Sequence, residues 1–156
     1  MKVVEIFKSI DGEGITAGCP TVFIRLFGCN LRCNYCDTKY SYNEISYTVM
    51  SIPEIVEAVR KFNTQRVTVT GGEPLVHPGI NNLLNALYLA GMTINVETNG
   101  TVVPSFYAPN RLIYTMDYKL NCSGMSDKMD INIINRLRAT DVLKFVVGSV
   151  ADMDQA

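Results

Sequence analysis

The 156 residues carry 14 basic and 15 acidic side chains, a net charge of −1, and are 47% apolar and 19% charged. A chain of this size and composition reads as one ordinary globular domain, spanning residues 1–156, with enough apolar content for a real core. A near-neutral balance without a Lys/Arg cluster argues against a nucleic-acid-coating surface. No apolar run reaches the roughly 18 residues that a membrane helix needs, and Glu5 with no apolar run behind it does not fit a secretory signal.

The elements follow in chain order. Val3–Phe7 and Val22–Phe27 are strand patterns, and a Cys-, Asn- and Asp-rich loop runs from Cys29 to Tyr40. Ser51 predicts a helix cap, with Ile52, Ile55, Val56, Val59 and Phe62 forming one apolar stripe behind it. Arg66–Thr70 is a β-branched strand broken by Gly71-Gly72-Glu73-Pro74. A second helix is expected over about Pro78–Ala90, with Ile80, Leu83, Leu84 and Leu87 on one face and Gly91 closing it. Thr93–Glu97 and Leu112–Asp117 are further strands, a third helix is expected over about Asp130–Arg138, and Val142–Val147 is a sixth strand whose apolar residues read as buried on both faces. Ser149 to Asp152 fits a capping box with almost no helix behind it, so the tail either frays or the sequence is cut short. Strands alternating with helices predict an α/β fold: a parallel sheet, helices outside, and function at the C-terminal ends of the strands.

Five cysteines, three of them in the Cys-x3-Cys-x2-Cys of Cys29, Cys33 and Cys36, suit a reduced, cytoplasmic chain that uses thiolates for metal. A zinc site closes with four ligands, usually from two separated pairs. Three thiolates from one loop suit an iron–sulfur cubane with one iron free of protein ligands. A zinc-binding interaction module completed by Cys19 or Cys122 is the alternative of another class. Otherwise Cys19 and Cys122 read as packed or idle thiols, and His77 as a residue at the start of a helix rather than a ligand.

The cysteine loop, with Tyr35 before its last cysteine, resembles the cluster loop of radical S-adenosylmethionine (SAM) enzymes. Thr70-Gly71-Gly72-Glu73-Pro74 resembles their glycine-rich strand end. Asp11-Gly12-Glu13-Gly14, Phe23-Ile24-Arg25-Leu26-Phe27-Gly28-Cys29, Cys36-Asp37-Thr38, Glu97-Thr98-Asn99-Gly100-Thr101 and Asp117-Tyr118-Lys119 narrow this likeness to the 7-carboxy-7-deazaguanine synthase family, from about residue 5 to 154. The resemblance implies a partial (β/α)6-type barrel, here C-terminally short because the segment expected after the sixth strand, with a late substrate contact, is absent.

The implied activity is ring contraction of 6-carboxy-5,6,7,8-tetrahydropterin to 7-carboxy-7-deazaguanine, with loss of ammonia. The implied cofactors are a [4Fe-4S] cluster on Cys29, Cys33 and Cys36, S-adenosylmethionine, and Mg2+ on Thr38. Tyr35, Cys36, Asp37, Gly72, Glu97, Thr98, Asn99 and Lys119 would contact the cofactor. Asp11, Gly12, Glu13, Arg25 and Thr70 would contact the substrate. Arg25 in an apolar strand reads either as a fork for a substrate carboxylate or as half of an ion pair with an acid at the core edge. An electron donor such as flavodoxin and a homodimer are also implied; nucleic acid and membrane partners are not. A glycyl-radical activase of anaerobic ribonucleotide reductase, with the same cysteine spacing, is the alternative within the class.

Overall fold

The computed structural model describes residues 1–43 and 47–156. Its elements are β1 (Lys2–Ile10), β2 (Pro20–Leu26), α1 (Tyr40–Asn43), β3 (Thr48–Val49), α2 (Ile52–Arg60), β4 (Arg66–Gly71), α3 (Ile80–Leu89), β5 (Thr93–Thr98), β6 (Leu112–Tyr118), β7 (Val142–Phe145) and α4 (Val150–Gln155). They build one seven-stranded sheet, ordered β3-β1-β2-β4-β5-β6-β7. The sheet curves into an open partial barrel similar to the one that the resemblance implies. Among the described residues no helix is long and apolar enough to cross a membrane.

The expected all-parallel sheet is corrected at one end. β2, β4, β5, β6 and β7 pair in parallel, whereas β1 lies antiparallel to β2 and to β3. Only a single 3-10 turn, Gly14–Thr16, separates β1 from β2; a direct return needs no crossover helix, and only parallel neighbours require one.

The core lies between the outer sheet face and two helices. Val22, Ile24, Leu26, Val67, Val69, Ile94 and Val96 meet Ile55 and Val59 of α2 and Leu83, Leu84 and Leu87 of α3. The α2 start follows the sequence expectation: Ser51 Oγ accepts from Glu54 N–H, and the Glu54 carboxylate accepts from Ser51 N–H at 2.7 Å. α3 stops at Gly91, whose φ of +87° suits a residue without a Cβ. Among the described residues no helix covers β6; the preceding loop does so, with Tyr114 Oη donating to Phe106 O at 2.6 Å.

Two further expectations are corrected. The third helix is a 3-10 turn over Ile131–Arg136, with the Asp130 carboxylate accepting from Asn132 N–H. Its Ile and Asn residues are poor helix formers, and Asn and Asp offer the backbone competing bonds. β7 ends at Phe145, all four of its residues are only half-buried, and Val147 is 46% exposed. It is an edge strand, so its apolar run reflects partial rather than two-sided cover. The short α4 is held in place. Asp152 accepts from Cys122 N–H at 3.0 Å and Gly148 N–H at 3.1 Å, and Gln155 accepts from Asn121 N–H.

Candidate active site

The inner face of the sheet is polar because the strands alternate. Val67, Val69, Ile94, Val96, Tyr114 and Met116 face outward and are buried. The residues between them face inward, and the register sets them in rows: Arg25 beside Thr70, Glu97 beside Thr115, and Asp117 beside Lys144. A cavity of about 510 Å³ opens there, at the C-terminal ends of the parallel strands. Its lining includes Cys29, Cys33, Cys36, Tyr35, Asp37, Thr38, Glu13, Arg25, Thr70, Gly72, Glu97, Thr98, Asn99 and Lys119. Asp11 and Gly12 do not line it. Asp11 is 1% exposed and accepts from the Thr16 and Thr68 hydroxyls at 2.9 and 3.0 Å, pinning the loop after β1 to β4.

The ends of β4 and β5 and the turn after β6 hold the cysteine loop. A Cβ on Gly72 would lie 2.2 Å from Gly28 O and 2.8 Å from Cys29 Cβ, so only glycine lets β4 approach this closely. Glu73 N–H donates to Gly28 O at 2.8 Å, and Asn34 N–H donates to Ser123 O at 2.9 Å. Asn99 Nδ2 reaches Asn30 Oδ1 at 3.0 Å and Cys29 Sγ at 3.8 Å. The Glu73 carboxylate is fully buried and accepts from Leu75 N–H, Thr98 Oγ1 and Asn99 N–H at 2.9, 2.8 and 2.6 Å. It ties β4 to β5 where both meet the cavity. Burial pushes its carboxyl above the usual range despite these three bonds.

The electrostatics are mixed. Lys144 Nζ contacts both Glu13 oxygens at 2.8 and 2.7 Å and Asp117 at 3.3 Å; Lys119 pairs with Asp117 at 2.9 Å and lies 5.4 Å from the centre of the Tyr35 ring. Burial pulls Lys144 down, but the bonds to Glu13 and the Asp117 charge outweigh it, so its value is raised. Burial raises Glu97, with the Thr70 hydroxyl opposing and the Glu13 and Asp11 charges adding to the rise. Burial likewise raises the Cys29 and Cys33 thiols, opposed at Cys33 mainly by the Lys119 charge.

Cys29, Cys33 and Cys36 are free thiols on one cavity wall. Among the described residues no three His, Cys, Asp or Glu side chains converge as a single metal ion requires. A cubane, which takes each thiolate at a different corner, fits this donor set better than lone zinc. Cys19 lies outside the cavity, and so does Cys122, whose Sγ meets Val146 O at 3.4 Å. His77 follows the Pro74–Val76 turn, away from the cavity.

Sequence reasoning passed over Glu5, Glu73, Thr115, Asp117 and Lys144 as individual site residues. The detectable signal was the alternation itself: Thr68 and Thr70, Asn95 and Glu97, Thr115 and Asp117 interrupt strands that would otherwise read as fully buried.

Comparison with known proteins agrees with this geometry. The Radical SAM superfamily profile matches residues 23–112. The chain is 45% identical over 159 residues to 7-carboxy-7-deazaguanine synthase of Clostridium acetobutylicum, covering 99% of this chain and 72% of that protein. It is 41% identical to the synthase of Methanospirillum hungatei JF-1, covering all of this chain and 65% of that relative. The crystal structure of QueE from Escherichia coli superposes with a TM-score of 0.79 at 25% identity, over 98% of this chain and 74% of the other. With the thiolate triad, the glycine-rich strand end and the polar barrel face all at one cavity, the chain belongs to the radical SAM superfamily and, within it, to the 7-carboxy-7-deazaguanine synthase family.

Proposed function

We propose that this chain is a radical SAM lyase that contracts the ring of 6-carboxy-5,6,7,8-tetrahydropterin to 7-carboxy-7-deazaguanine, releasing ammonia, as in queuosine precursor synthesis. The observation that carries this reading is that the three thiols share one cavity with a guanidinium and a carboxylate suited to a carboxylated pterin. When bound, the cluster and S-adenosylmethionine supply one-electron chemistry that no side chain provides.

The residues do the rest. Cys29, Cys33 and Cys36 hold the cluster. Gly72, held flush against Gly28, and Thr98 and Asn99, fixed by Glu73, present strand-end polar groups to the cofactor, and Tyr35 offers an aromatic face. Arg25 directs a guanidinium fork toward the substrate carboxylate, and Glu13 accepts hydrogen bonds from pterin N–H groups once it leaves Lys144. Thr38, beside Asp37, offers a hard oxygen suited to Mg2+, which keeps most of its waters. Positioning dominates in such chemistry, because a reactive radical attacks whatever lies nearest. A one-electron donor such as flavodoxin and a homodimeric assembly complete the proposal, both supported by the family resemblance.

The test is anaerobic reconstitution with iron and sulfide, followed by incubation with S-adenosylmethionine, reductant, Mg2+ and the carboxytetrahydropterin. Formation of the deazaguanine acid is the expected result. Zinc in place of iron and sulfide, or turnover only with a large reductase partner, would refute the reading. An unchanged Mg2+ titration in Thr38→Ala would remove Thr38 from the metal site.

A further inference from the structure

Arg25 is not alone in its strand pair. Glu5 Oε1 lies 2.7 Å from Arg25 Nε and 2.9 Å from Tyr40 Oη, so one carboxylate oxygen accepts from both. The Arg25 guanidinium also lies 5.8 Å from the centre of the Tyr40 ring. Arg25 lines the cavity, whereas Glu5 and Tyr40 do not. Among the described residues its two terminal nitrogens make no hydrogen bond.

The backbone is built for this contact. Val3 pairs with Leu26 on the outer, buried face, and an unbroken ladder would send Glu5 to that same face two residues later. Instead the register shifts between Val3 and Glu5, and Glu5 pairs with Arg25. One extra residue in β1 turns the acid inward, beside the guanidinium. Such bulges re-aim side chains next to sites.

We propose that Glu5 is a positioning residue for substrate recognition, dictating which edge of Arg25 the substrate's carboxylate meets. This rests on the reading that Arg25 grips that carboxylate. A guanidinium offers a carboxylate two bidentate edges, Nε with one terminal nitrogen, or the two terminal nitrogens together. Glu5 occupies Nε, so only the end-on edge remains for a ligand in the cavity that Arg25 lines. Tyr40 holds Glu5 in turn. The ion pair is therefore the device that orients the fork, and the specificity for a carboxylated pterin depends on it.

The experiment compares Glu5→Ala, Glu5→Gln, Arg25→Lys and Glu5→Ala/Arg25→Lys in the reconstituted full chain. It measures KM, kcat and equilibrium Kd for the carboxytetrahydropterin, and the Ki of a tetrahydropterin lacking the carboxylate. Loss of a hydrogen bond to a charged group predicts a rise of about tenfold or more in KM and Kd for Glu5→Ala, with kcat changed much less. Glu5→Gln, which keeps an acceptor oxygen, should recover part of the loss. The Ki of the decarboxylated analogue should not move, and the double variant should be no worse than Arg25→Lys. Arg25→Lys with a raised Kd beside a wild-type Kd in Glu5→Ala would overturn the positioning role alone. An unchanged Kd in Arg25→Lys would overturn the underlying reading as well. Equal weakening of both ligands would reduce Glu5 to general support of the pocket and overturn the proposal; if Glu5→Ala fails to fold, the same ratio in Glu5→Gln decides.

Discussion

Lys144 Nζ bonds both carboxylate oxygens of Glu13, joining the loop after β1 to the last strand of the sheet across 131 positions of sequence. The pair closes the inner face where the sheet itself stays open. Lys144→Gln removes the charge that Glu13 and Asp117 share. Because Glu13 is 43% exposed, the cost should be modest, about 1 kcal/mol. Urea titrations at low and high salt check this: wild-type stability should fall with salt more steeply than that of the variant.

The cysteines separate into two groups. Cys29→Ala, Cys33→Ala and Cys36→Ala should each abolish S-adenosylmethionine cleavage after reconstitution, whereas Cys19→Ala and Cys122→Ala should retain iron and sulfide. Metal and sulfide analysis reads this directly. Equal iron loss in Cys122→Ala and Cys33→Ala would mean a fourth protein ligand.

Glu73→Gln should destabilise the fold by about 2 kcal/mol, because each of its oxygens accepts from a backbone N–H, and in either orientation an amide NH2 would face one of these donors unpaired. Since Asn99 N–H is one of those partners, affinity for S-adenosylmethionine should fall with it. Thermal denaturation and cofactor titration together check the coupling; a stability loss with wild-type cofactor affinity would confine Glu73 to the fold.

A distant pair sets an acid limit on stability. Burial alone would raise Asp141, but bonds from the Arg138 side chain and from the Tyr114 and Arg138 N–H groups outweigh it and hold the carboxyl below its ordinary 3.8. A carboxyl depressed on folding contributes full stability above its unfolded value and loses it as pH falls through the lower folded one. Wild-type unfolding free energy should therefore drop as pH falls below 3.8. Asp141→Asn, less stable at neutral pH, should show a shallower fall. Parallel slopes for the two proteins in acid denaturation would contradict the assignment.

Local chemistry is legible in the sequence. The thiolate spacing, the Gly71-Gly72 break and the Ser51 cap each depend on residues within a few positions of one another, and each reappears in the structure. Glu5 was invisible as a partner of Arg25, twenty residues away, because the contact depends on a register shift in β1 and no local pattern encodes a bulge. The same holds for Lys144, whose partners lie in the loop after β1 and on β6. The Asp130–Arg138 helix failed for a local reason: its Ile- and Asn-rich composition favoured a tighter turn. The apolar run of β7 could not reveal that it sits at the sheet edge, since edge position belongs to topology.

The alternation along β4, β5 and β6 divides labour between adjacent residues of one backbone. Val69 and Val96 answer to packing, while their neighbours Thr70 and Glu97 line the cavity. In a saturation scan, defects in abundance and defects in turnover should therefore interleave with a beat of two residues rather than fall into separate regions. The protein can thus accumulate changes in what its cavity accepts without drawing on the side chains that keep it folded.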